Sequence, residues 1–217
     1  MSIDRRSAVA ALATLPLTRS LPRSLFVQPH GAAEHIAVIG AGAFGGWTAL
    51  HLRRAGHRVT LVDAYGAGNS RASSGGETRL IRAVYNGQAA YIDMVARAYA
   101  LWRESERSWN RRFLTRTGAL WMFDGSDDAF ARRSVEGMRT HGLPLEEVSP
   151  GDAARRWPQV SFTGVRHTWF EPEAGVLLAR AAREAVREAF VREGGEFRIA
   201  AARLGAPGNT RLTSLAL

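Results

Sequence analysis

The sequence predicts an α/β fold that begins with a parallel β-α-β unit, and three consecutive segments support this prediction. Residues 35–39 form a short apolar run, His-Ile-Ala-Val-Ile, that stops at a glycine, as buried parallel strands often do. Residues 47–55 carry apolar residues at helical spacing, and Gly56 ends the helix. A second strand is expected over 58–62 and stops at Asp63.

The composition narrows the class of protein. The 217 residues are 46% hydrophobic and 23% charged, which is typical of a globular chain long enough to bury a core. No run of about 18 apolar residues occurs, so no stable membrane insertion is expected. The absence of cysteine excludes disulfides, thiolate metal sites and cysteine nucleophiles. The histidines lack metal-ligand spacing and no G-x-S-x-G motif is present, so neither a metal site nor hydrolase chemistry is predicted.

The net charge of +9 invites a nucleic-acid interpretation, but the distribution of charge argues against it. All 29 basic residues are arginine. Many of them stand three or four positions from a glutamate on predicted helices, as Arg180 and Glu184 do, which is typical of a solvated helix face. We therefore expect no nucleic-acid partner.

The first 33 residues differ in composition from the rest of the chain. Arg5 and Arg6 precede a mildly apolar run over 7–17, and Asp4 is the only acid of the segment. This pattern resembles a twin-arginine export signal and predicts a periplasmic protein. The match is partial, because no Phe-Leu-Lys follows the arginines, and the alternative is an N-terminal extension of a cytoplasmic protein. The fold argument begins at residue 34 in either case.

The turn between the first strand and the helix carries a Rossmann-type dinucleotide-binding pattern. Gly40 permits the tight turn, Gly42 lets the main chain approach a pyrophosphate, and Gly45 lets the helix pack closely. The helix N-terminus offers unpaired N–H groups to the phosphates, and Asp63 is placed to accept hydrogen bonds from the adenosine ribose. The predicted cofactor-binding residues of this unit are Gly40, Gly42, Ala43, Phe44, Gly45, Asp63 and Ala64.

This unit alone leaves FAD and NAD as alternatives, because both place an ADP half on the same motif. The next segment, 66–82, is polar and rich in glycine and serine where a second Rossmann helix would be expected. With it, the sequence resembles the FAD-dependent D-amino acid oxidase superfamily, most closely its monomeric sarcosine oxidase and N-methyltryptophan oxidase branch. The likeness lies in residues 38–45, 62–63, 76–82 with Tyr85, 117–120, 156–158 and 170–177.

The resemblance implies a Rossmann-like FAD-binding domain with an interleaved antiparallel-sheet substrate domain. Residues 34–82 and 174–217 would belong to the discontinuous FAD domain, and 83–173 to part of the substrate domain. The family's domains also use a further stretch of similar length, so we expect both to be incomplete in this chain. The chain is therefore interpreted as the N-terminal half of a longer enzyme.

The resemblance also implies FAD as the cofactor and oxidation of the C–N bond of a small amine or N-alkyl amino acid. By position, Thr78 and Arg79 match family residues near the isoalloxazine ring, and Arg82 matches an arginine that binds the substrate carboxylate. Arg79 and Arg82 are the predicted catalytic residues. The alternatives are ion pairs of these arginines with acids such as Glu77, an NAD-binding protein with the same opening motif, and a truncated, non-catalytic remnant.

The remaining segments predict alternating helices and strands. Helices are expected over 91–113, 127–141 and 178–193, with a helical turn over 152–157. The expected strands are 118–123, 145–148, 165–170 and 196–201. The predicted inward faces are Tyr91, Val95, Ala98, Trp102 and Trp109 in the first helix and Leu178, Ala182, Val186 and Phe190 in the last.

Overall fold

The computed structural model describes residues 34–202, so the export-like segment 1–33 and residues 203–217 of the predicted FAD domain lie outside the described residues. The strands are β1 (His35–Ile39), β2 (Arg58–Asp63), β3 (Arg79–Ile81), β4 (Leu114–Arg116), β5 (Ala119–Phe123), β6 (Glu146–Val148), β7 (His167–Glu171), β8 (Gly175–Leu177) and β9 (Glu196–Ile199). The helices are α1 (Ala43–Arg54), α2 (Ala89–Trp109), α3 (Ala129–Arg132), α4 (Val135–Thr140), α5 (Pro150–Arg156) and α6 (Ala179–Arg192).

The opening unit is a parallel sheet in the order β1-β2-β9. Leu61 of β2 pairs with Val38 of β1 on one side and with Phe197 of β9 on the other. Helices α1 and α6 pack together, and Leu50 and Phe190 meet Leu61 in one buried core. The predicted strand-helix-strand order is therefore confirmed.

Strand β1 departs from the expected buried strand. Its residues alternate between exposed and half-buried, and Ile39 is 52% exposed. The sheet order explains the difference, because β1 is the edge strand within residues 34–202 whereas the central strand β2 is buried over four consecutive residues.

Two antiparallel sheets follow, in the orders β3-β8-β4 and β5-β7-β6. The second of them contains the predicted strands that became β5, β6 and β7. Strands β3, β4 and β8 are three residues long, too short to show a period in the sequence. Together with the parallel sheet they confirm the predicted α/β fold class.

Helix α2 ends earlier than the sequence predicted. Asn110 adopts a left-handed conformation with φ 50°, and the main chain then turns so that Phe113 and Leu114 donate N–H bonds to the Glu106 carboxylate. The predicted inward face is wrong at Tyr91, which is 48% exposed. The fully buried residues of this face include Ile92 instead.

The predicted helix over 127–141 is two short helices, α3 and α4, because Ser134 interrupts it. The Ser134 hydroxyl is buried and accepts N–H bonds from Tyr85 and Gly87. In α6, Ala182, Val186 and Phe190 are buried as predicted, whereas Leu178 caps the helix and is 43% exposed.

An aromatic cluster joins α1 to α2. Trp47 of α1 stacks on Trp109 at 5.8 Å and meets Trp102 edge-on at 5.4 Å between ring centroids. Phe113 closes the cluster against both tryptophans of α2. The cluster fixes α1, and with it the glycine-rich turn, against the C-terminal half of α2.

No helix within residues 34–202 combines the length and the apolar character needed to span a bilayer.

Candidate functional site

Two glycines, Gly40 and Gly45, shape the glycine-rich turn. Gly40 has φ +97°, a conformation that side chains disfavour, and it donates its N–H to the Val62 carbonyl at 2.7 Å. A Cβ atom on Gly45 would overlap the Gly40 carbonyl oxygen. The turn therefore lies tightly between the end of β2 and the first turn of α1.

The N-terminus of α1 has no compensating negative charge from its own residues. Gly42 caps the helix without a side-chain hydrogen bond, and the first turn contains no acid. A Cβ atom on Gly42 would meet no described atom within 4 Å, so the backbone here is open to a ligand. Free N–H groups and the positive end of the helix dipole make this terminus suitable for phosphate.

Asp63 ties the turn to the segment after β2. Its Oδ2 accepts the N–H of Ala41 at 2.8 Å, while Oδ1 accepts the N–H of Tyr65 at 2.8 Å and the side-chain amide of Asn69 at 3.3 Å. A carboxylate offers about four acceptor positions, so one remains for a ligand hydroxyl. Asp63 thus both shapes the turn and faces a possible ribose.

These groups line a cleft of about 750 Å³, named here the nucleotide cleft. Its volume lies within the range of roughly 300 to 1,000 Å³ usual for ligand sites. The cleft brings together all seven residues predicted for the dinucleotide unit, including Ala64 and the 88% exposed Phe44. Its other walls come from the segment after β2, with Tyr65, Asn69, Arg71, Ala72, Ser73 and Ser74, and from Ala200, Ala201 and Ala202.

Arg79 lies beside this cleft rather than in it. It lines a smaller cavity of about 200 Å³, named here the arginine recess, which shares Gly42, Ala43 and Ser74 with the nucleotide cleft. Its guanidinium donates to the carbonyls of Thr78 at 2.7 Å and Ser73 at 2.8 Å. Thr78 itself lines neither cavity.

Glu77 does not pair with the predicted catalytic arginines. Its carboxylate binds Arg180 of α6 at 2.6 Å. Within residues 34–202, neither Arg79 nor Arg82 forms an ion pair with a carboxylate at 4.0 Å or less. The expected alternative of a structural ion pair with Glu77 is therefore wrong.

Arg82 lies against aromatic rings, away from both cavities. Its guanidinium carbon is 4.2 Å from the Tyr85 ring centroid and 5.0 Å from that of Trp121, and it donates to the Val84 carbonyl. Cation–π contacts of this kind hold an arginine in place without neutralising its charge. The structure thus separates the two predicted catalytic arginines, with Arg79 at the arginine recess and Arg82 beside Trp121.

Glu171, at the end of β7, is a buried acid near Arg82 that the sequence analysis did not single out. It is 0% exposed, and its Oε1 accepts the N–H of Ala83. Burial raises the pKa of Glu171, while the Ala83 bond and the charge of Arg82 oppose that rise. The sequence signal was the Phe-Glu-Pro block at 170–172, which was used for the family likeness but not for the site.

A second buried charge that the sequence analysis missed is Arg183, one turn into α6 and 6% exposed. The helical pattern of α6 places arginines and glutamates close together, which predicted a solvated face. Burial of this one arginine depends on how α6 packs, so no sequence signal could have found it.

Asp128, Glu147 and His167 come close enough to suggest a metal site, but Arg132 already pairs with the two acids. Arg132 binds both oxygens of Asp128, at 3.1 and 2.8 Å, and lies 3.4 Å from Glu147. The Trp169 indole donates to the same carboxylate at 2.8 Å. Burial would raise the pKa of Asp128, but the bonds from Arg132 and Trp169 hold it below its usual range, so the cluster is an ion-pair network.

Comparison with known protein families identifies the family to which this chain belongs. The DAO family, described as FAD dependent oxidoreductase, matches residues 35–211, which is most of the chain. The chain belongs to this family. The resemblance found in the sequence is confirmed, and FAD is the cofactor of the family.

Curated relatives agree with the assignment. The chain is 29% identical to a monomeric sarcosine oxidase from Bacillus sp. over 153 residues, which are 70% of this chain and 39% of that protein. It is 28% identical to N-methyl-L-tryptophan oxidase from Salmonella arizonae over 147 residues, which are 68% of this chain and 39% of that protein. The chain therefore spans about two fifths of the length of these relatives.

Solved structures show the same fold. L-proline dehydrogenase from P. horikoshii superposes with a TM-score of 0.65 at 22% identity, covering 77% of this chain and 44% of that one. A modified fructosyl peptide oxidase from Aspergillus nidulans gives a TM-score of 0.64 at 18% identity, covering 78% and 41%.

The nucleotide cleft suits the ADP half of FAD on four counts. Gly40 and Gly45 hold the turn tight, the α1 N-terminus has no side-chain cap, and the space at Gly42 is open to a phosphate. Asp63 stands at the wall of the same cleft with acceptor capacity for a ribose hydroxyl.

Proposed function

We propose that the complete protein is an FAD-dependent oxidoreductase that oxidises the C–N bond of a small amine or N-alkyl amino acid. The observation that carries the proposal is the nucleotide cleft of a DAO-family chain, with a cation-bearing recess directly beside it. The relatives support the substrate class, since their names give sarcosine and N-methyl-L-tryptophan, both N-methyl amino acids, as substrates.

In this proposal the chain supplies binding and position, and FAD, when bound, accepts the electrons removed from the substrate. The turn from Gly40 to Gly45 and the α1 N-terminus hold the diphosphate, and Asp63 holds the ribose. Arg79, by its match to family residues near the isoalloxazine ring, would place a positive charge beside the flavin. That charge is fixed because backbone carbonyls hold the guanidinium, and no carboxylate within residues 34–202 neutralises it. Thr78 supplies one of those carbonyls.

Arg82 is the proposed partner of a substrate carboxylate. Tyr85 and Trp121 fix the guanidinium from its faces while leaving its charge without a carboxylate partner in the described part of the chain. A planar guanidinium can pair both oxygens of a carboxylate at once. An amino acid would thus be bound through its carboxylate, with its amine carried toward the flavin.

The proposed function predicts that the purified complete protein contains FAD. Its visible absorbance should be that of a flavoprotein, and anaerobic addition of sarcosine or another N-methyl amino acid should bleach the flavin band. Colourless protein that binds no added FAD would exclude flavin chemistry. A yellow protein that no amine or N-alkyl amino acid bleaches would contradict the proposed substrate class alone.

We also propose that the protein is exported through a twin-arginine route. The proposal rests on Arg5 and Arg6 before the mildly apolar run over 7–17, and on the need to fold around FAD before export. Changing both arginines to lysine should hold a tagged protein in the cytoplasm. The matched control changes Arg19 and Arg23 to lysine and should leave export intact; export of both double variants would contradict the proposal.

A further inference from the structure

Arg183 is a buried cation without a matching anion. It is 6% exposed, and its guanidinium reaches only two backbone carbonyls, those of Ala179 and Asn69, each at 3.4 Å. Its Nη2 atom is buried and has no hydrogen-bond partner among residues 34–202. No carboxylate of the described chain lies within ion-pair distance of it. Such a group is costly to bury unless a ligand completes it.

The surroundings of Arg183 add further positive charge. It lines the arginine recess together with Arg79, and the other walls are apolar, with Trp47, Trp102 and Val186 among them. Burial, followed by the like charges of Arg180 and Arg79, lowers the pKa of Arg183, while the charges of Glu184 and Asp63 oppose that fall. Two arginine side chains thus line a small, mostly apolar cavity whose lining contains no acid side chain.

The recess also reaches the phosphate-binding terminus of α1. Gly42 and Ala43 line both the arginine recess and the nucleotide cleft, so an anion on this terminus would lie between the two cavities. The helix dipole adds a third source of positive potential at the same place. Arg82, the proposed partner of the substrate carboxylate, lines neither cavity. The anion proposed for the recess is therefore not the substrate carboxylate.

We propose that Arg183 is a cofactor-binding residue that contacts the diphosphate of FAD from the side of the arginine recess. A diphosphate carries the negative charge that Arg183 and the α1 N-terminus lack. Its oxygens would give the Arg183 guanidinium the charged hydrogen-bonding partner that the described chain does not supply. The inference rests on the proposed function, because it requires FAD in the nucleotide cleft.

A diphosphate-binding role and a purely structural role of Arg183 predict opposite effects of its removal on the stability of the apoprotein. An unpaired buried cation next to Arg79 destabilises the empty protein, and the diphosphate reverses that effect. Arg183→Met should therefore raise the thermal midpoint of the apoprotein and reduce the rise that saturating FAD produces. A structural arginine would show the opposite sign in the apoprotein.

The test uses complete apoprotein, produced in riboflavin-starved cells and titrated with FAD and with riboflavin, which lacks the phosphates. We expect Arg183→Met to weaken FAD binding about 10-fold while leaving riboflavin binding unchanged. Arg183→Lys, which keeps the charge, should retain most of the affinity. The control is Arg187→Met, one turn further along α6, where the side chain is 34% accessible and near Glu188.

Three results would overturn the inference. Equal FAD affinity in Arg183→Met and wild-type protein would show that Arg183 does not reach the diphosphate. Equal loss of FAD and riboflavin binding would show a packing role. A wild-type protein that binds no FAD would overturn the proposed function as well, which distinguishes that failure from the first two.

Discussion

Replacing Arg82 with methionine in the complete protein is expected to lower kcat/KM roughly 30-fold to several thousand-fold for an N-alkyl amino acid, with FAD content unchanged. The guanidinium is held over Tyr85 and Trp121 and has no carboxylate partner within residues 34–202, so it is free to pair with the substrate. Losing one partner of such a desolvated pair costs about 2 to 5 kcal/mol. Steady-state kinetics and flavin absorbance measure the two quantities.

A substrate that lacks a carboxylate group provides the control for the Arg82→Met prediction. Arg82→Met should change turnover little for a simple N-methyl amine, because that substrate never used the guanidinium. Arg116→Met, which removes a half-exposed arginine paired with Glu173, should affect neither substrate. If both substrates lose activity equally, or if Arg82→Met loses its flavin, Arg82 supports the fold or the cofactor and does not bind the carboxylate.

Replacing Asp63 with alanine in the complete protein is expected to weaken FAD binding roughly 10- to 150-fold. The change removes the proposed bond to the ribose and also releases the N–H groups of Ala41 and Tyr65, which position the glycine-rich turn. FAD titration of the apoprotein, followed by quenching of flavin fluorescence, measures the affinity.

A matched control for this prediction is Asp93→Ala. Asp93 is an exposed acid of α2 that pairs with His141 and lines neither cavity. We expect its removal to leave FAD affinity unchanged. Unchanged affinity in Asp63→Ala as well would show that Asp63 does not bind the ribose.

The opening unit could be predicted from the sequence because its signals are local. The apolar strand, the glycines and the acid occur in a fixed order within one β-α-β unit, and the structure places the seven predicted residues around one cleft. The turn at Gly40 needs its positive φ whatever follows it in the chain. Local requirements of this kind are visible in a single sequence.

The parts that could not be predicted depend on contacts between distant segments. Ser134 divides a helical pattern because its buried hydroxyl binds a loop some fifty positions earlier, and β8 becomes a strand only by pairing with β3 and β4. Likewise, Arg183 has the same local pattern as its solvated neighbours on α6. Its burial follows from the packing of α6 on α1, which the sequence pattern does not encode.

The buried carboxyl of Glu171 has a consequence for proton uptake. A glutamate in the unfolded chain ionises near pH 4.5, whereas burial raises the pKa of Glu171, so that the folded chain retains the proton to higher pH. Folding therefore binds a proton at pH values between the two. The stabilisation linked to this proton is complete below the unfolded pKa and declines as pH rises through the folded one, by up to about 1.4 kcal/mol per pH unit. The positive charge of Arg82 opposes the rise in the pKa of Glu171 and so limits this loss of stability. A ligand anion that neutralised Arg82 would therefore strengthen proton retention by Glu171 in the folded chain.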